Sequence, residues 1–210
     1  ASGYPVPEGI VITTDAFAAQ AAALPADATP ERVADQPLPE AVDRAVRLAL
    51  RPGGLLDGVP VAVRSSAVAE DMAGASFAGQ YDTFLDLRTE DEVIGAVRQC
   101  FASAYAARVQ AYKAAHGRVP AGMAVLVQRF VASEAAGVAF TANPVTGERS
   151  VVTISAVPGV GESLVSGHRN AEEWAVRGGV ARRQRSVSPV LDEATALAVA
   201  TLARRGEAGA

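Results

Sequence analysis

One arginine stands where a short apolar run gives way to small and polar residues. Residues 61–80 read VAVRSSAVAEDMAGASFAGQ, and Arg64 follows three apolar residues. A guanidinium fixed at the end of a buried strand presents a rigid fork of donors that matches phosphate oxygens. Ser65 and Ser66 add hydroxyl groups, and the small residues of 73–79 let backbone N–H groups approach an anion closely. The stretch therefore predicts a phosphate-binding strand and loop.

The loop that follows Arg64 admits two interpretations. A run of small residues buries little surface, so it can open and close as a lid that excludes water from phosphoryl transfer. Alternatively, Arg64 pairs with Glu70 or Asp71, and the loop binds nothing. The residues alone leave both interpretations open.

A glutamine interrupts the apolar run of residues 123–130, MAVLVQRF. A polar side chain on so apolar a strand must find a hydrogen-bonding partner or lie at a cleft. One interpretation places Gln128 beside a nucleotide base at the junction of two lobes. The other is an outward strand position beside Arg129. The pattern does not choose between them.

One carboxylate follows a glycine-framed turn in residues 157–163, VPGVGES. Glu162 is a candidate ligand for Mg²⁺ bound to ATP, because magnesium takes one or two carboxylates together with phosphate oxygens. The turn lacks the third glycine of the dinucleotide-binding fingerprint, and the chain contains no Walker pattern. His116 and His168 do not lie at metal-ligand spacing, and no nucleophile elbow indicates acyl chemistry.

Composition and charge argue against several classes of partner. The chain of 210 residues has a formal net charge of −4, whereas duplex binders carry a basic excess gathered on one face. No apolar run approaches the roughly 20 residues that cross a bilayer. Cys100 is the single cysteine, so no intrachain disulfide can form and a reducing cytoplasm is the expected location. We therefore expect neither a nucleic-acid nor a membrane partner.

The predicted elements alternate between helix and strand in the first half and become mostly strand in the second. A capping box beginning at Thr89 starts the most regular helix, and Gly178-Gly179 indicates a hairpin turn. The class is α+β. We expect an N-terminal α+β lobe over 1–118, with the phosphate-binding strand and loop at 60–87. A mainly antiparallel β lobe with a C-terminal helix is expected over 119–210.

These segments resemble, in order, the ATP-binding domain shared by phosphoenolpyruvate synthase, pyruvate phosphate dikinase and rifampicin phosphotransferase. The resemblance covers most of residues 3–177 and is most specific in the segment around Arg64. The matching blocks are YPVPEGIVITTDAF, VAVRSSAVAEDMAGASFAGQYDTFL, CFASAYAARVQAYK, VLVQRFV, AAGVAFTANPVTGE and VPGVGESLVSGHRNAEEW.

The resemblance implies an ATP-grasp fold, in which two lobes clamp the nucleotide, with ATP and Mg²⁺ as cofactors. By position, Arg64 would contact the triphosphate and the loop from Ser76 to Gly79 would cover it. Thr83 would also reach phosphate. Gln128 would line the adenine or ribose pocket, and Glu162 would lie near the metal or sugar. In this family the β-phosphate of ATP passes to a histidine on a separate swivelling domain, and then to an acceptor such as pyruvate or an antibiotic on a third domain.

Some family segments have no counterpart in the sequence. A glycine-rich K-G-x-N-L segment and a Q-D-I-E-W-like strand are absent, and NAEEW replaces the more usual proline-aspartate pairing. The chain is therefore predicted to be an ATP-grasp domain incomplete at both ends, inactive on its own and dependent on partner domains elsewhere in a longer protein. The alternative is a non-catalytic relative that acts as a binding or regulatory module.

Overall fold

The computed structural model describes residues 4–25, 28–67, 82–105, 122–144, 146–161, 164, 171–186 and 188–208. The described residues form helices and two four-stranded antiparallel sheets, which confirms the α+β class. The helices are α1 (Thr14–Ala22), α2 (Pro30–Asp35), α3 (Glu40–Leu50), α4 (Glu90–Ser103) and α5 (Glu193–Ala208). The strands are β1 (Gly9–Ile12), β2 (Val61–Ala67), β3 (Thr83–Leu87), β4 (Met123–Arg129), β5 (Ala135–Phe140), β6 (Val152–Pro158), β7 (Glu172–Arg177) and β8 (Val180–Arg185).

The chain divides into two compact units, Pro5–Val131 and Ala132–Ala210 together with Tyr4. The division falls after Val131 rather than after residue 118, because β4 pairs with β1 on one side and β2 on the other. That pairing places β4 in the first unit, whereas the sequence assigned it to the second lobe. Among the described helices, none is long and apolar enough to cross a bilayer.

The first unit is built on a sheet with strand order β1-β4-β2-β3. Its core face carries the valines of the two central strands, all buried. Helix α4 begins with the predicted capping box, in which the side chains of Thr89 and Glu92 each accept from the other residue's backbone N–H. The helix buries Val93, Val97 and Phe101 in the same core. Phe17 of α1 meets Phe101 edge to face, with ring centroids 5.3 Å apart. On the other face of the sheet, Val11, Arg64 and Thr83 are exposed.

The second unit is a meander of strand order β5-β6-β7-β8. Gly178 and Gly179 turn β7 into β8, both with positive φ, as the hairpin prediction requires. Gly137 lets β5 approach β6, because a Cβ there would lie 2.4 Å from the Ser155 carbonyl oxygen. Helix α5 covers one face, where Trp174 and Ala196 are buried together.

Candidate functional site

The side-chain alternation of the first sheet places Arg64 on the face opposite the helical core. Val63 pairs with Val127 in the core, so the next residue along each strand lies on the other side. Arg64 is opposite Leu126 on β4 and opposite Thr83 on β3, and Leu126 is opposite Val11 on β1. The four residues thus form a single row across the sheet, called here the Arg64 row.

The Arg64 row changes character from one edge of the sheet to the other. Val11 is 61% exposed, which is unusual for a strand valine, and Leu126 is half-buried. Arg64 and Thr83 are both exposed. Three inter-strand spacings of about 4.8 Å make the row about 14 Å long. An apolar surface therefore leads directly to a cation and a hydroxyl.

Arg64 has no ion-pair partner among the residues that the structure describes. Arg129 lies on the adjacent strand β4, but its side chain is on the core side of the sheet, because it is opposite Val61. Its Nε lies 3.3 Å from Glu8 Oε2, and its Nη2 donates to the Gly54 carbonyl at 3.1 Å. Arg129 is thus engaged within the first unit, whereas the described residues leave the Arg64 donors without a carboxylate partner.

Gln128 lies on the same side of the sheet as Arg64, two residues beyond Leu126 on β4. Its Nε2 donates to the Pro7 carbonyl at 2.9 Å, which fastens the segment before β1. This orientation of the amide is required, because a carbonyl can only accept. Beside it Gly9 is essential for space, since a Cβ there would lie 2.8 Å from the Val127 carbonyl oxygen. The structure thus gives Gln128 an internal partner while keeping it next to the Arg64 row.

Several predicted site residues lie outside the described part of the chain. These are Ser76 and Gly79 of the loop, the possible Arg64 partners Glu70 and Asp71, and the candidate metal ligand Glu162. Within the described residues, no group of three or more His, Cys, Asp or Glu side chains could hold a metal ion. A nucleotide-bound magnesium needs fewer protein ligands than that. The roles of these residues remain predictions.

A groove of about 470 Å³ lies between α2 and α4. Its lining includes Glu31, Asp35 and Asp82, while the remaining side chains are uncharged. Three carboxylates repel a polyphosphate. This groove is therefore electrostatically unsuited to a nucleotide.

The second unit contains a groove of about 440 Å³ beside α5, with Arg204 and Arg205 at its edge. Arg204 donates to Glu207 at 3.0 Å, and the Arg205 guanidinium lies 5.7 Å from the centre of the Tyr4 ring. Both cations are thus engaged within their own unit. This groove is therefore a weaker candidate for phosphate binding than the Arg64 row.

Sequence reasoning did not anticipate the apolar half of the Arg64 row. Val11 and Leu126 stand in continuous apolar runs, IVI and VLV, which look the same whether one face of a strand is open or both are buried. Only the pairing of β1 with β4 shows that both residues share a face with Arg64. The high exposure of Val11 has no signal in the sequence.

Comparison with known proteins gives the family. The model of the pyruvate phosphate dikinase AMP/ATP-binding domain matches residues 27–196. The chain belongs to this family. The match includes the strands that carry Arg64, Thr83 and Gln128, whereas Val11 on β1 precedes the matched residues.

Curated relatives of this dikinase-type domain come from several kinds of enzyme. A "Probable phosphoenolpyruvate synthase" of Staphylothermus marinus is 45% identical over 69% of the chain and 18% of its own length. Rifampicin phosphotransferase of a Streptomyces species is 43% identical over 68% of the chain and 16% of its own length. "Prodigiosin synthesizing transferase PigC" of Serratia marcescens is 39% identical over 82% of the chain and 20% of its own length. The chain spans about a fifth of the length of these relatives.

Proposed function

We propose that the chain binds ATP on the open side of its first sheet, as the ATP-binding domain of a dikinase-type phosphotransferase. The observation that carries the proposal is the Arg64 row, which runs from an apolar edge to an exposed guanidinium that pairs with none of the described residues. A nucleotide has the same polarity, since a flat base lies at one end and a polyanion at the other. The family membership supports the same ligand.

Each end of the Arg64 row has a distinct task in this proposal. Val11 and Leu126 present apolar surface to the base, and Gln128 lines the adenine or ribose pocket with an amide whose orientation Pro7 fixes. Arg64 binds the triphosphate through its fork of donors, and Thr83 adds a hydroxyl directly across from it. Phosphoryl transfer depends mainly on positioning and charge neutralisation, which are the contributions these groups can make.

The remaining family features stay proposals for this chain. We propose an ATP-grasp fold for the domain, in which Glu162 would hold Mg²⁺ together with phosphate oxygens. The loop from Ser76 to Gly79 would cover the triphosphate. When bound, magnesium would neutralise charge on the transferring group.

The activity of the whole protein is proposed from its relatives. They are about five times longer than the matched region, which leaves room for further domains. We propose that the β-phosphate of ATP passes to a histidine on a separate domain and then to an acceptor on another. Pyruvate, or an antibiotic, is the class of acceptor that the names of the relatives suggest.

Calorimetric titration with Mg-ATP tests the nucleotide site, with Arg64→Ala and Arg129→Ala as matched variants. Loss of a hydrogen bond to a charged group costs about 1.5–3 kcal/mol, so Arg64→Ala should weaken binding by roughly 10- to 100-fold. Arg129→Ala should leave affinity within about twofold, because that side chain lies on the core face and is held by Glu8 and Gly54. The affinity of Arg64→Lys for Mg-ATP should lie between those of the two alanine variants, since an ammonium keeps the charge but cannot bind phosphate in the bidentate manner.

Equal effects of the two alanine variants on affinity would contradict the assignment of Arg64. Absence of heat with millimolar Mg-ATP, in a folded sample, would contradict a self-sufficient site on this chain.

A further inference from the structure

The two serines after Arg64 lie on opposite faces of the first sheet. Ser65 is opposite Val125 on the core side and is half-buried. Both its backbone nitrogen and its hydroxyl donate to the Asp82 carbonyl, at 3.3 Å and 3.0 Å. Its hydroxyl is therefore committed to fastening the start of β3 to β2.

Ser66 lies on the same side of the sheet as Arg64 and is exposed. Its neighbour on β4 is Ala124, a side chain too short to shield a hydroxyl. Its hydroxyl has no hydrogen-bond partner among the described residues. Two residues along a strand span about 6.7 Å, and the diagonal neighbour Thr83 is about 7–8 Å away. Ser66, Arg64 and Thr83 therefore surround one patch of the sheet.

We infer that Ser66 is a further phosphate-binding residue of the nucleotide site, whereas Ser65 is structural. The inference rests on the proposed function. A triphosphate has more acceptor oxygens than one guanidinium can satisfy, and a hydroxyl can rotate to donate to whichever oxygen is nearest. The Ser66 hydroxyl is a donor of this kind beside Arg64. It binds the polyphosphate together with Arg64 and Thr83.

The test is calorimetric titration of the chain with Mg-ATP and, separately, with adenosine. Ser66→Ala should weaken Mg-ATP binding by roughly 10-fold or somewhat more, the effect of a lost hydrogen bond to a charged group. Its affinity for adenosine, which has no phosphate, should stay within about twofold of wild type. Ser66→Thr restores the hydroxyl in a residue that suits a strand, and should restore most of the affinity for Mg-ATP.

Ser65→Ala is the matched control, since it removes the same hydroxyl one residue away on the other face. It should lower the thermal midpoint, because the Asp82 carbonyl loses one donor, and leave Mg-ATP affinity within about twofold. Ser66→Ala should leave the thermal midpoint unchanged.

The outcomes separate the two proposals. Unchanged Mg-ATP affinity in Ser66→Ala, with a large loss in Arg64→Ala, would overturn the role of Ser66 and leave the nucleotide site intact. Equal loss of adenosine and Mg-ATP binding in Ser66→Ala would also overturn it, because phosphate would not be the group contacted. If neither Arg64→Ala nor Ser66→Ala changes Mg-ATP binding, the site on this face fails altogether.

Discussion

A buried carboxylate in the second unit allows one stability prediction to be worked out in detail. The Glu172 side chain is completely buried. Its Oε1 lies 2.6 Å from Arg183 Nε, and its Oε2 accepts from the backbone nitrogens of Val190 and Leu191, at 2.5 Å and 2.9 Å. Arg183 also donates to the Leu191 carbonyl at 3.1 Å. The Glu172–Arg183 pair therefore binds both the N–H group and the carbonyl of Leu191, just before α5.

Glu172→Ala should destabilise the second unit by about 3 kcal/mol. Removing one partner of a buried ion pair costs about 3–5 kcal/mol. The lower end of this range applies because the Arg183 side chain is 39% exposed and can be solvated when its partner is lost. The N–H groups of Val190 and Leu191, which belong to half-buried residues, also lose their acceptor. Glu172→Gln keeps one acceptor oxygen, so about 1–2 kcal/mol is expected.

Urea unfolding followed by tryptophan fluorescence measures this effect directly. Trp174 is the single tryptophan, is buried, and has the Arg183 guanidinium 4.9 Å from its ring centre. The matched control is Glu173→Ala, one residue away on the opposite face of β7, which should change stability by about 0.5 kcal/mol or less. Similar free energies of unfolding for the Glu172 and Glu173 variants would show that the buried Glu172–Arg183 pair does not stabilise the second unit.

Two further predictions concern the first unit. Burial, and secondarily the nearby Asp82 carboxylate, raises the pKa of Cys100 to about 12. Ellman's reagent at pH 8 should therefore leave the thiol of the native protein essentially unmodified. Unfolding in guanidinium should make one thiol per chain reactive. Rapid reaction of the native protein would contradict the burial of Cys100. Asp86 has φ of 58°, where β3 bulges against β2, so Asp86→Ala should destabilise by about 1 kcal/mol and Asp86→Asn by much less. Equal loss in the two Asp86 variants, measured by urea unfolding, would show that the left-handed conformation is not the cause.

Features that depend on neighbouring residues could be predicted from the sequence. The capping box of α4 and the Gly178-Gly179 hairpin are examples, and both were confirmed. Each arises from interactions within about four residues, so its pattern lies in one short window. The family resemblance was confirmed for the same practical reason, because its motifs are contiguous.

Features that depend on strand pairing could not be predicted. The unit boundary was placed before β4 because the sequence does not state that β4 lies between β1 and β2. Ser65 and Ser66 could not be told apart, since three consecutive buried residues precede Arg64 and hide the alternation. The basic run of Arg182, Arg183 and Arg185 likewise gives no sign that Arg183 pairs with a buried carboxylate on the neighbouring strand β7.

Titration of the ¹⁵N-labelled chain with Mg-ATP, followed by amide chemical shifts, shows where the nucleotide binds. If ATP binds on the face of the Arg64 row, the largest shift changes fall at the Arg64 row and at Ser66, and they saturate at a common affinity that Arg64→Ala weakens. Amides of the core-facing helix α4 should change little. Shift changes centred on the acidic groove between α2 and α4, or on the groove beside α5, with the amides of Arg64, Leu126 and Thr83 unchanged, would contradict a nucleotide site on this face.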